Sequence, residues 1–104
     1  MIVVLVVERM PASVRGDLSR WMIEPRPGVF IGQITPLVRD RLWSEVGRVA
    51  ASRRVAAASA VMVNDAQTEQ GFEVRVTGTP TREVVDFEGL TLVRWFPVEH
   101  EQAP

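Results

Sequence analysis

The stretch VFIGQITPLVRDRLWSEVGRV, residues 29–49, holds a strand, a turn and a helix start in one run. Val29–Ile31 is a short apolar piece that ends at Gly32. Thr35 followed by Pro36 is a strong start signal. A threonine hydroxyl accepts from a free N–H at the helix end, and proline fits the first turn because its missing N–H would have no partner there. From that point Val38, Leu42, Val46 and Val49 form one apolar stripe at helical spacing. Arg39, Arg41, Glu45 and Arg48 occupy the other faces and read as solvated residues. A strand handing over to an amphipathic helix predicts a helix packed on a sheet.

Toward the N-terminus, Ile2–Val7 is a continuous β-branched and leucine run, expected to be a central strand buried on both faces. Pro11 and Ser13 open a first helix whose stripe is Val14, Leu18, Trp21 and Met22, with Trp21 and Trp43 assigned to core packing. EPRPG (24–28) stops that helix, since proline disfavours helix at the residue before it. Toward the C-terminus, Val55–Val63 reads as a strand and NDAQTEQG (64–71) as a polar turn. FEVRV (72–76) is a half-exposed strand, with Phe72, Val74 and Val76 inward and Glu73 and Arg75 outward. Beyond Gly78 and Pro80, VVDF (84–87) and LTLVRWF (90–96) flank a tight turn at Gly89 and form either a hairpin or a pair of edge strands, and EHEQAP (99–104) is a solvated tail. Strands and helices alternating in so short a chain imply an α+β sandwich, with both helices on one face of a mainly antiparallel sheet. Its second face needs a cover, which a second copy can provide. The division is a core over 1–79, a strand extension over 80–98 and an acidic tail over 99–104.

With 104 residues, 46% of them hydrophobic, the chain has enough apolar material for one core and one domain. It contains no cysteine, which excludes disulfides and thiolate metal sites and fits an intracellular protein. The opening apolar run is too short to span a bilayer, so a cytoplasmic protein with no membrane partner is expected. The net charge of −1 argues against a generic nucleic-acid binder, but the distribution is uneven. Residues 27–63 carry +3 and residues 83–104 carry −4. All 12 basic residues are arginine, whose planar fork suits phosphate, although genomic base composition also produces such an inventory.

The corner VVERMPASVRG (6–16) joins the first strand to the first helix. Arg9, Arg15 and Arg20 are placed around that helix start, where free N–H groups and guanidinium forks together suit a phosphate. The competing reading is a solvated face with Arg20 and Glu24 as an i,i+4 pair. Glu8 at the strand end is either a metal-binding carboxylate or a charge favourable near a helix N-terminus. His100 is the only histidine and has neither ligand partners nor a nucleophile beside it.

VVERMPASVRGDLSRWMIEPRPGVFIG (6–32), RLWSEV (41–46), TEQGFEV (68–74) and VDFEGLTLVRWFPV (85–98) occur in the order found in one group of small CRISPR proteins. The chain resembles the CRISPR-associated protein two family of the type I-E systems, the smaller subunit of the spacer-acquisition complex. The resemblance implies a ferredoxin-like fold and a homodimer with its sheets facing. It implies CRISPR-associated protein one, the integrase, as partner, and double-stranded prespacer DNA lying across the assembly. It implies backbone contacts from Arg15 and Arg82, with Ser13 and Thr81 departing from the basic pairs common in the family. For the integrase interface it implies Leu92, Val93, Trp95, Phe96 and Val98. The family is also labelled a metal-dependent nuclease of RNA or DNA. In that alternative, paired Glu8 carboxylates hold Mg²⁺ or Mn²⁺, where many members carry aspartate; the scaffold role requires no cofactor.

Overall fold

A computed structural model describes residues 1–52 and 57–78, together with the backbone of residues 82–87 and 90–95. The elements run β1 (Ile2–Glu8), α1 (Ala12–Leu18), β2 (Ile23–Arg26), β3 (Val29–Gln33), α2 (Pro36–Ala51), β4 (Ser59–Asp65), β5 (Phe72–Gly78), β6 (Arg82–Phe87) and β7 (Leu90–Trp95). The first five strands form one antiparallel sheet in the order β2-β3-β1-β4-β5, and β6 and β7 pair as a separate hairpin. Two helices pack on one face of the five-stranded sheet, as the alternation of elements implies.

The α2 start follows its sequence signal. The Thr35 hydroxyl accepts from the Val38 N–H at 3.3 Å, and Pro36 is the first helical residue. Leu42, Val46 and Val49 are buried against the sheet, with Val38 and Trp43 partly buried beside them. Beneath them β1 is central. Leu5 lies opposite Phe30 of β3 and Met62 of β4, and all three are fully buried. Full burial of each such side chain is worth about 1.5–3 kcal/mol, so this row anchors the layer.

Five expectations are corrected. β1 is central but covered on one face only. Val3, Leu5 and Val7 are buried, whereas Ile2 and Val6 on the opposite face are 53% and 38% exposed. The inward and outward assignment in β5 is reversed. Arg75 stands opposite buried Met62 and Glu73 opposite buried Asn64, so these two share the helix side. Phe72, Val74 and Val76 therefore share the open face with Val61 and Val63. Arg39, read as solvated, keeps only 12% of its side chain exposed. It sits in a charge network in which Arg75 bridges Asp40 at 3.0 Å and Glu73 at 3.2 Å, while Arg39 meets Asp40 at 2.9 Å.

The first helix is the fourth case. It ends at Leu18, and residues 19–21 turn, so Trp21 leaves the expected stripe and is 50% exposed. The cause is local. The Trp21 carbonyl and the Met22 side chain lie so close over Gly32 that a Cβ there would stand 2.9 Å and 2.8 Å from them. Met22 takes the core position, 5% exposed, and the chain then enters β2. That edge strand, exposed throughout and containing Pro25, has no alternation to announce it. The fourth strand also begins later than read, at Ser59 rather than Val55, with residues 53–56 outside the described ones.

Candidate functional site

Two features of the sheet position the candidate residues. The first is the corner where β1 leaves the sheet. Arg9 follows Glu8 with a left-handed backbone (φ 57°), which swings the chain off the strand toward α1. Val7, Met10, Pro27 and Gly28 wall a cleft of about 220 Å³, and Arg9 and Arg15 supply its charge. Gly28 closes it from the β2–β3 turn: the Val7 N–H donates to the Gly28 carbonyl at 2.8 Å.

Glu24 orients this corner. Its Oε2 accepts from the Gly28 N–H at 2.8 Å and from an Arg15 terminal nitrogen at 2.7 Å. The Gly28 N–H first, and then the Arg15 guanidinium, hold the Glu24 carboxyl below its usual value of 4.5. One arm of Arg15 is thus fixed, while its Nε–H is buried with no acceptor. A buried donor without a partner costs about 1–3 kcal/mol, so a bound anion that reached it would recover that energy. The helix N-terminus contributes less than expected, because the Val14 and Arg15 N–H groups are already bonded to the Pro11 carbonyl.

Sequence reasoning grouped Arg20 with this corner, and the structure separates it. Arg20 lies past the C-terminal end of α1 and lines a groove with Asp17, Trp21 and residues of α2. The Arg20–Glu24 helical pair is not formed, since residue 20 is in a turn and Glu24 in β2 binds Arg15 instead. The role of Glu24 was missed because a nine-residue separation across a strand and a turn leaves no periodic signal.

Glu8 is exposed at the end of β1, opposite Ser59. No group of three His, Cys, Asp or Glu side chains placed to hold a metal ion occurs among the described residues. A divalent ion is usually held by one or two carboxylates plus substrate oxygens, so one chain's Glu8 alone does not make a metal centre. The second feature is the open sheet face. By register, Val4, Ile31 and Val63 form one cross-strand row, and Val6, Val29, Val61 and Val76 the next. Contiguous apolar surface of this kind marks an interaction site.

Arg82, Leu92, Val93 and Trp95 fall on the β6–β7 hairpin, where Arg82 pairs with Trp95 and Val84 with Val93. Their side chains, and all of Arg53, Arg54, Phe96, Val98 and His100, lie outside the described residues.

Together these features define an α+β sandwich with an apolar sheet face that no described helix covers and an arginine-lined corner suited to an anion. A family model described as CRISPR-associated protein (Cas_Cas2CT1978) matches residues 1–92, and the chain belongs to that family. Membership implies a role in CRISPR adaptation. No helix among the described residues is long and apolar enough to cross a membrane.

Proposed function

We propose that this protein is a DNA-holding scaffold of CRISPR adaptation. Two ferredoxin-like copies meet through their open sheet faces, hold prespacer DNA by its phosphates at the Arg9–Arg15 corners, and bridge integrase subunits. The observation that carries this reading is Arg15, tethered on one side by Glu24 with a buried Nε–H still unpaired. Such a corner positions a phosphate without reading sequence. The strand order β2-β3-β1-β4, with its β-α-β-β-α-β chain order, supports the ferredoxin-like assignment. Family membership supports the integrase partnership, with Leu92, Val93, Trp95, Phe96 and Val98 as the docking segment and Arg82 as a further phosphate contact. The attack that joins prespacer to repeat DNA then belongs to the integrase.

The test is prespacer integration by the complex reconstituted with the integrase subunit. Arg15→Gln is expected to weaken DNA binding on every sequence and to lower the salt slope by about one. Glu8→Ala, with assembly confirmed, is expected to integrate like wild type. Lost integration in Glu8→Ala, with assembly and DNA binding intact, would overturn the scaffold reading in favour of metal-dependent chemistry at Glu8.

A further inference from the structure

The groove between α1 and α2 lies on the other layer of the molecule from the open sheet face and has no part in the scaffold reading. It measures about 530 Å³, within the size range of small-molecule sites. Val38 and Leu42 form apolar wall, and Asp17, Arg20, Trp21, Arg41, Glu45 and Arg48 supply the chemistry.

Three observations together point to a ligand. Trp21 is half exposed at the groove, turned out of the core by the early end of α1, so an indole surface is available for stacking. The carboxyl groups of Asp17 and Glu45 face each other across the helix seam. Burial, then the hydrogen bond and charge of Asp17, push the Glu45 carboxyl above its ordinary value, and Arg48 opposes this. None of Arg20, Arg41 and Arg48 forms a close ion pair with a described residue, although the charge of Arg48 acts on Glu45. The groove thus offers an aromatic surface, guanidinium groups free of close ion pairs and two carboxyl groups able to accept N–H donors.

We propose that this groove binds a nucleoside monophosphate, with guanine as its best base. The base stacks on Trp21, and the phosphate is held by the guanidinium groups of the rim. The carboxyl pair accepts from the base edge, where guanine presents two adjacent N–H donors. Inorganic phosphate engages only the rim, and cytosine presents a single amino donor.

The experiment is calorimetric titration of the full chain with guanosine monophosphate, cytidine monophosphate and inorganic phosphate, followed in parallel by tryptophan fluorescence. Guanosine monophosphate is expected to bind about tenfold or more tightly than inorganic phosphate and to quench fluorescence, since base–aromatic stacking alone supplies a factor of that order. Its preference over cytidine monophosphate, which also stacks, comes from the extra base-edge donor and is expected to be about two- to tenfold. Trp21→Ala is expected to lose about tenfold or more in affinity and most of the quenching, while Trp21→Phe retains stacking. Arg41→Gln with Arg48→Gln is expected to weaken binding and flatten its salt dependence, and it is the deciding variant should Trp21→Ala melt at a lower temperature. Absence of binding at millimolar nucleotide, phosphate binding as tightly as the nucleotide, or the deciding variants binding like wild type would each overturn the proposal.

Discussion

Three glycines allow backbone conformation to be separated from contact. Gly28 and Gly71 both have left-handed backbones, at φ 83° and 85°, but a Cβ on Gly71 meets open space while one on Gly28 would stand 2.7 Å from the Val7 carbonyl oxygen. Gly16, inside α1, has neither constraint. Alanine at Gly71 bears only the left-handed cost, about 1–2 kcal/mol. Alanine at Gly28 bears that cost and must also push back the strand that donates the Val7 N–H to Gly28 at 2.8 Å. Losing or stretching that bond adds about 0.5–1.5 kcal/mol, for a total of about 1.5–3.5 kcal/mol. Alanine at Gly16 improves helix propensity and should stabilise by about 0.5–1 kcal/mol. At about 4–8 °C per kcal/mol for a domain of this size, thermal melts at one protein concentration should order the variants clearly. Gly28→Ala should lie lowest, Gly71→Ala between it and wild type, and Gly16→Ala slightly above wild type. Equal shifts for Gly28→Ala and Gly71→Ala would refute the reasoning, because they would mean the Val7 strand gives way at no cost.

Two further outcomes are expected. Val6→Asp or Ile31→Asp places a charge on the open sheet face without touching the helix-side core. Under the proposed facing-sheet arrangement sedimentation should give a dimer for wild type and monomers for both variants, and a monomeric wild type or a variant as dimeric as wild type would contradict that arrangement. The carboxyls Glu45 and Glu24 should show opposite pH behaviour. Glu45 has a raised value in the fold, so its ionisation destabilises the native state; Glu45→Gln should raise the melting temperature at neutral pH, and the gain should vanish as pH falls toward the ordinary value of 4.5. Glu24 has a lowered value, so its contribution is complete above 4.5 and is lost as pH falls through its native-state value; Glu24→Gln should melt below wild type at neutral pH and converge with it in acid.

The sequence made α2, β1, β3 and the β6–β7 hairpin legible, because each has a local cause: a capped amphipathic stripe, an apolar run, or two short runs around a turn. What it hid depends on contacts between distant residues. Strand β2 is wholly exposed and holds a proline, so only its pairing with β3 makes it a strand. The end of α1 is decided by Gly32, ten or more residues away, over which the Trp21 carbonyl must pass. The β5 alternation was correctly periodic but reversed in sense, since inward was taken as the helix side and the apolar residues face the open side. Among candidate residues, Arg9 and Arg15 both line the cleft at the β1–α1 corner. Arg20 lies apart from them because it is more than two turns past the start of α1, at the groove beside α2.

The choice between scaffold and nuclease turns on Arg15 more than on Glu8. By strand alternation Glu8 continues the row Ile2, Val4, Val6, so it belongs to the same open face that would meet a second copy. Facing sheets would bring two Glu8 carboxylates to the margin of an apolar contact in either reading, and the placement therefore discriminates neither. Arg15 differs. A carboxylate fixes one arm of its guanidinium, a glycine N–H fixes that carboxylate, and the remaining buried donor points to an acceptor the chain does not supply. The Glu24 and Gly28 contacts already stabilise this corner, and the exposed part of the Arg15 side chain has the charge and donor geometry that the proposed phosphate contact requires.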